Sequence, residues 1–223
     1  MEESVPKTPK AIAEHINYIF DLLEEQGKGD YLGESISQLE HCLQAAYFAT
    51  EEVDDEEAII AALLHDIGQF LPLSELKVCS SARSMIDQDM GANVGRHGHD
   101  VLGQRWLLLH GWPKKVADLV GAHVTAKRLV LALHTYLPSF LTATQPQYLA
   151  SLSNASQASL RMQGGPFTPE QVEEFKTNPS HKEMVMLRLW DDRAKIVGLK
   201  TPPLDYYRPM AERVLQSAML VSA

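Results

Sequence analysis

Hydrophobic and polar positions alternate at helical spacing along almost the whole chain. Ile12, Ile16, Ile19 and Leu23 fall on one face of a first helix, the i, i+4, i+7 recurrence of an amphipathic α-helix. Thr8 followed by Pro9 predicts its start and Gly27 its end. Ser37 with Glu40 three residues later reads as a capping box, opening a helix that carries His41 in its first turns. Asp54 and Glu57 are expected to open the next helix. Its apolar run Ala58-Ile59-Ile60-Ala61-Ala62-Leu63-Leu64 leads into His65-Asp66-Ile67-Gly68. Regular spacing resumes over residues 99–110, closed by Gly111, with Pro113 placed as a first helical residue. Val116, Leu119, Val120 and His123 then follow at i, i+3, i+4 and i+7, so His123 points where the apolar face points. A separate segment is expected over 125–136. Gly164-Gly165-Pro166 breaks the chain, Thr168-Pro169 starts another helix, and one from about Lys182 holds Met184, Leu187 and Asp191 on one face. Residues 206–220 form a last amphipathic helix.

No stretch alternates with period two, and no segment repeats. The pattern predicts an all-α fold. No linker is long or polar enough to divide the chain, so a single domain over 1–223 is expected, with its core at about 29–197. Residues 71–98 are weakly patterned, and a stretch of that length is expected to be a lid or an excursion.

Composition narrows the function classes. The 223 residues carry a net charge of −9 and no basic run, which argues against nucleic acid as a partner. Two cysteines, Cys42 and Cys79, are too few for a disulfide framework and fit a reducing compartment. No apolar stretch approaches a membrane span, and the N-terminal residues do not form a signal segment. A cytoplasmic protein with no membrane contact is the expectation; the oligomeric state is not legible.

The chemistry concentrates at Leu64-His65-Asp66-Ile67-Gly68. A carboxylate and an imidazole at the end of a wholly apolar helix are costly to bury unless a cation pairs with them, and a metal ion is the simplest such cation. The bland alternative is an ordinary helix C-terminus, with His65 near the negative end of the dipole and Gly68 as the cap. Beyond this pair, His41, His99, His123 and Asp191 also sit where helices point inward. Each alone has a dull explanation: a lone inward histidine is usually a hydrogen-bonded core residue, and Asp191 has Arg188 and Lys195 as helical neighbours. Six together exceed what one open catalytic ion needs. A dinuclear site with one bridging carboxylate uses them all.

The pattern His…His-Asp…His…His…Asp resembles the HD-domain superfamily of helical metalloproteins, most of which are phosphohydrolases. Further features resemble its smaller branch of mixed-valence diiron oxygenases, in particular the group that cleaves 1-hydroxyalkylphosphonates. They are Tyr31-Leu32-Gly33-Glu34 ahead of His41, His123-Val124-Thr125-Ala126-Lys127-Arg128, Arg188-Leu189-Trp190-Asp191-Asp192, and the loop from Leu152-Ser153-Asn154-Ala155-Ser156 through Gln163-Gly164-Gly165-Pro166. The likeness spans about residues 29–195. It implies a helical bundle around two iron ions, ferrous and ferric, held by His41, His65, Asp66, His99, His123 and Asp191, with Asp66 as the bridge. It implies that Tyr31 caps the open iron position until substrate arrives and that Glu34 rearranges with it. Lys127 would bind the phosphonate, and Ser153, Ser156, Gln163 and Arg188 would line the substrate. Gln69 stands where relatives often carry a histidine; an amide neither accepts a proton nor carries charge, so it bears on substrate identity.

The resemblance thus implies an iron- and O2-dependent enzyme of phosphonate catabolism that cleaves the carbon–phosphorus bond of a small organophosphonate and releases phosphate. A phosphohydrolase with the same ligands, an oxygenase acting on a polyol or diol, and a catalytically idle helical binding module are the rivals. A displaceable tyrosine has no purpose in hydrolysis, Lys127 has less purpose toward a diol, and an intact ligand set argues against an idle module. The substituent on the phosphonate is not legible.

Overall fold

The computed structural model describes residues 5–6, 8–31, 35–75, 96, 98–136, 157, 160 and 164–221. Among the described residues there are nine α-helices and no strand; Asp30 and Ser37 form an isolated antiparallel bridge. The helices are α1 (Pro9–Gln26), α2 (Gln38–Glu52), α3 (Glu56–Leu64), α4 (Ile67–Phe70), α5 (His99–Leu109), α6 (Lys114–Tyr136), α7 (Pro169–Lys176), α8 (His181–Arg193) and α9 (Arg208–Val221). A 3-10 turn, Leu204–Tyr207, leads into α9.

Local signals set the starts of these helices. Thr8 caps α1 by accepting from the Ala11 amide, and Gly27 closes it by donating to Leu23. Ser37 and Glu40 form the reciprocal capping box of α2, and Thr168 with Gln171 forms another on α7, each satisfying amides that a helix start leaves without partners. The start of α3 differs from the sequence expectation. Asp55, not Asp54, is the cap, because its Oδ1 reaches the amides of Glu57 and Ala58. The segment expected over 125–136 is also not separate, since α6 runs unbroken through 114–136. Thr125 carries no turn signal strong enough to interrupt a helix whose neighbours on both sides continue to bury it.

The core forms around α3. Every residue from Ala58 to Leu64 is buried, which is how a helix apolar on all sides must sit. Helices α2, α6, α8 and α9 pack around it, α5 lies on α6, and α4 lies on α5. Trp106, Trp190 and Tyr207 are among the largest fully buried side chains. Gly68 is not a helix cap. It lies within α4 against the start of α5, where a Cβ would stand 1.9 Å from the His99 carbonyl oxygen; only glycine permits that approach. No helix among the described residues is long and apolar enough to cross a membrane.

Candidate metal centre

Five elements deliver polar side chains to one point inside this apolar bundle. His41 comes from the first turn of α2, His65 and Asp66 from the turn joining α3 to α4, His99 from the start of α5, His123 from the middle of α6 and Asp191 from the end of α8. All are buried except His99, whose side chain is 18% exposed. The six residues singled out from the sequence are therefore brought together by the fold.

They assemble as two clusters that share Asp66. His41 Nε2 and His65 Nε2 are 3.0 Å apart, and His99 Nε2 and His123 Nε2 are 3.1 Å apart. Asp66 lies between the pairs. Its Oδ2 is 3.6 Å from His65 and 3.9 Å from His41, while its Oδ1 is 3.1 Å from His99 and 3.8 Å from His123. Asp191 Oδ1 joins the first cluster at 3.3 Å from His41 Nε2. The first cluster thus has two imidazoles and two carboxylate oxygens, the second two imidazoles and one.

The outer nitrogens decide which tautomers are present. His41 Nδ1 donates to the Ala194 carbonyl at 2.7 Å, His65 to Ala62 at 2.8 Å, His99 to Arg96 at 3.0 Å and His123 to Val120 at 2.7 Å. A carbonyl oxygen only accepts, so each Nδ1 carries a proton, and a ring in its neutral form presents a bare Nε2 inward. Two bare lone pairs about 3 Å apart would repel, and a proton or a metal ion shared between the members of each pair relieves that repulsion. The donor set fits metal ions. Ligands at right angles on a metal with bonds of ~2.1 Å are about 3.0 Å apart, whereas a tetrahedral angle would spread them to about 3.4 Å. Backbone acceptors behind each ring are also what ligating histidines typically have. Asp191 Oδ1 adds a second observation. It is buried with no hydrogen-bond partner, and its nearest cation, Lys195 Nζ, is 3.5 Å away.

Electrostatics in the cluster follow from burial and proximity. Burial would raise the Asp66 carboxyl, but at the acid pH where it would titrate the protonated rings of His65, His99 and His123 outweigh burial and hold it well below the usual carboxylate range. Burial likewise acts against the charged form of Asp191, yet Arg188 and Lys195 keep it ionised. Burial, reinforced by His99 and His65, brings His123 down to about 3, and burial also lowers His65. These rings stay neutral at physiological pH, as a metal ligand must.

A charged wall adjoins the first cluster. Arg188 Nη1 donates to Asp191 Oδ2 at 2.8 Å and its Nε to Asp192 Oδ2 at 3.1 Å. This fork fixes the Asp191 carboxylate with its other oxygen toward His41. Lys195 Nζ donates to the Asp191 carbonyl at 2.6 Å. Lys127 is only 3% exposed. Burial first, and the Arg188 charge second, bring its ammonium down to about 8, so it stays mostly charged at neutral pH. Tyr31 stacks on His41, with ring centroids 3.7 Å apart. Burial and then the Asp191 and Asp66 charges raise its phenol well above the ordinary value.

The remaining sequence candidates divide. Gln69 lies beside the second cluster, its Oε1 accepting from the Arg96 amide at 2.7 Å. Glu34, Ser153, Ser156, Gln163 and most of the 71–98 excursion lie outside the described residues. Four residues that sequence reasoning did not place at the site stand directly behind it: Gln44, Arg96, Asp192 and Lys195. Asp192 and Lys195 carried a signal, being one and four positions after Asp191; Gln44 carried a weaker one, three after His41; Arg96 carried none.

The geometry agrees with what known proteins resemble this chain. Residues 39–144 match the HD domain, a stretch that includes five of the six clustered side chains. The chain is 36% identical to "Hydroxymethylphosphonate dioxygenase" of Gimesia maris, over 96% of this chain and 92% of that protein. It is 34% identical to "[1-hydroxy-2-(trimethylamino)ethyl]phosphonate dioxygenase (glycine-betaine-forming)" of Leisingera caerulea, over 93% and 92%. It is 32% identical to the uncharacterized protein L432 of Acanthamoeba polyphaga mimivirus, over 88% and 80%.

Proposed function

Since the chain belongs to the HD-domain family, together with relatives named as phosphonate dioxygenases, we propose that it is an iron- and O2-dependent oxygenase that cleaves the carbon–phosphorus bond of a 1-hydroxylated organophosphonate. The observation that carries this reading is the double cluster, two imidazole pairs facing opposite oxygens of one buried carboxylate. One ion would be held by His41, His65, Asp66 and Asp191, the other by Asp66, His99 and His123. Iron, when bound, supplies one-electron chemistry toward dioxygen and Lewis acidity toward the substrate's hydroxyl and phosphonate oxygens.

The chain's own residues do the rest. Three buried or near-buried cations, Lys127, Arg188 and Lys195, stand against the carboxylates Asp191 and Asp192, so a dianion meets no net negative wall despite the acidic sequence. Lys127, one turn beyond His123 on the same helix, is the residue to hold the phosphonate. Arg188 acts through Asp191, holding Oδ2 so that Oδ1 faces His41, where it would serve as a ligand. Tyr31, stacked on His41, would cap the centre until substrate displaced it, and Glu34 would accompany that change. Ser153, Ser156 and Gln163 contribute to the substrate pocket. One dioxygen balances the reaction: R–CH(OH)–PO3H2 and O2 give R–COOH and H3PO4, the P–C bond being replaced by P–O.

Anaerobic reconstitution with ferrous iron, then phosphate release measured over a panel of 1-hydroxyphosphonates with and without O2, tests the proposal. Release that depends on O2 supports it. Release from phosphate esters without O2 identifies a phosphohydrolase, and O2 uptake on a polyol alone identifies a diol oxygenase.

A further inference from the structure

We infer that two glutamines outside the ligand set, Gln44 and Gln69, are positioning residues, one for each metal position; this rests on the dinuclear reading above. Gln44 lies one helical turn after His41 and is buried. Its amide engages a single residue twice, Nε2 donating to the Ile196 carbonyl at 2.8 Å and Oε1 accepting from the Ile196 amide at 2.9 Å. His41 Nδ1 donates to the Ala194 carbonyl two residues earlier. Helix α2 therefore grips residues 194–196 at three points, and this strap directly follows the helix that carries Asp191. Ala194 is fully buried and Ile196 is 47% exposed, so the strap runs from the core to the surface, and the Ile196 peptide groups would otherwise turn to water. Only an amide offers a donor and an acceptor side by side on a chain of this length. By fixing the strap, Gln44 fixes the carbonyl that sets the tautomer and direction of His41, and with it the first metal position.

A separate set of contacts gives Gln69 the same task at the second position. Its Oε1 accepts from the Arg96 amide at 2.7 Å, while the Arg96 guanidinium donates to the carbonyls of Gly68 at 2.6 Å and Leu71 at 2.9 Å. Arg96 is thereby pinned to α4, the short helix that Asp66 leads into, and to Leu71, the residue that ends it. Its own carbonyl accepts from His99 Nδ1 at 3.0 Å. Gln69 thus orients His99 through one peptide unit, and the neutral amide at this position serves geometry.

The test uses the full chain loaded anaerobically with ferrous iron. Occupancy of each position is read by anomalous scattering, and affinity by competition with a chelator. Gln44→Met and Gln69→Met keep side-chain length and remove the amide. Gln44→Met should weaken binding at the His41/His65 position by roughly 10- to 100-fold and leave the His99/His123 position filled, and Gln69→Met should do the reverse. Gln69→Glu retains the acceptor for the Arg96 amide and should restore its position. Gln44→Glu lacks the donor for Ile196 and should not. Loss of both ions in step with a lowered melting temperature of the metal-free variant would make the glutamines merely structural and overturn the inference. Two full positions in both methionine variants would overturn it as well, while a wild-type chain holding fewer than two ions would overturn the dinuclear reading itself and this inference with it.

Discussion

Gly68→Ala tests whether the turn bearing Asp66 and the start of α5 form one locked unit. The added methyl would lie 1.9 Å from the His99 carbonyl oxygen, 2.8 Å from its carbonyl carbon and 3.0 Å from the Gly103 amide nitrogen. Ordinary contact begins near 3.4 Å, so α4 and α5 must part by about 1.5 Å, and the obstacle on the far side is backbone, which cannot rotate away. Overpacking of this kind costs roughly 1–3 kcal/mol, and the better helix propensity of alanine returns at most about 1 kcal/mol. A net loss of about 1–2 kcal/mol lowers the melting temperature by about 2–8 °C in a chain of this size. The larger effect falls on the second metal position, because His99 is the first residue of α5 and moves with it. A misplacement of about 1 Å in a reacting constellation costs on the order of 100-fold in turnover. Calorimetry of the metal-free variant, metal analysis and O2-dependent phosphate release measure the three consequences. A Gly68→Ala protein that melts within a degree of wild type and keeps two ions would refute the packing argument.

Three further outcomes follow from the same geometry. Asp66→Ala should lose both ions, since one carboxylate serves both clusters, whereas Tyr31→Phe should retain them because a capping phenol is replaceable by water; elemental analysis separates the two, and equal loss would remove the capping role. Lys127→Ala should leave metal content intact and raise the substrate concentration needed for half-maximal rate about ten- to a hundredfold, the worth of one charge-assisted hydrogen bond, roughly 1.5–3 kcal/mol; unchanged saturation would detach Lys127 from the substrate. Away from the centre, His15 accepts from Trp112 Nε1 and stacks on Trp106 and His110, and burial, with His110 second, lowers it from 6.5 to about 4. The folded state therefore refuses a proton that the unfolded chain takes. Its stability contribution is intact above pH 6.5 and is lost as pH falls toward 4, by up to about 3 kcal/mol. Denaturant unfolding of the metal-free protein at pH 7, 6 and 5 should show a shallower pH slope in His15→Phe than in wild type, and parallel slopes would rule this out.

The sequence by itself determined the helices and most of their ends. Thr8, the Ser37/Glu40 box, Gly111 and Thr168 act on amides or carbonyls within four residues, so their effect is written locally. It also determined which side chains point inward, because burial follows the 3.6-residue period, and thus which six could meet. Tertiary structure decided what no local rule contains. The partnership of His41 with His65 and of His99 with His123 depends on packing between helices 24 residues apart in each case, as does the division of the two Asp66 oxygens between them. The same holds for the carbonyls of Ala194 and Arg96 that orient His41 and His99, one of them 153 residues from its ring. Gly68 reads locally as a cap, and only the approach of α5 makes it a contact. Lys127 reads locally as a surface lysine beside Arg128, yet the fold buries it near Arg188 and Asp191 of α8. Periodicity fixes a side chain's direction from its own helix; what it meets there is fixed by the other helices, whose distance along the chain leaves no trace in the local pattern.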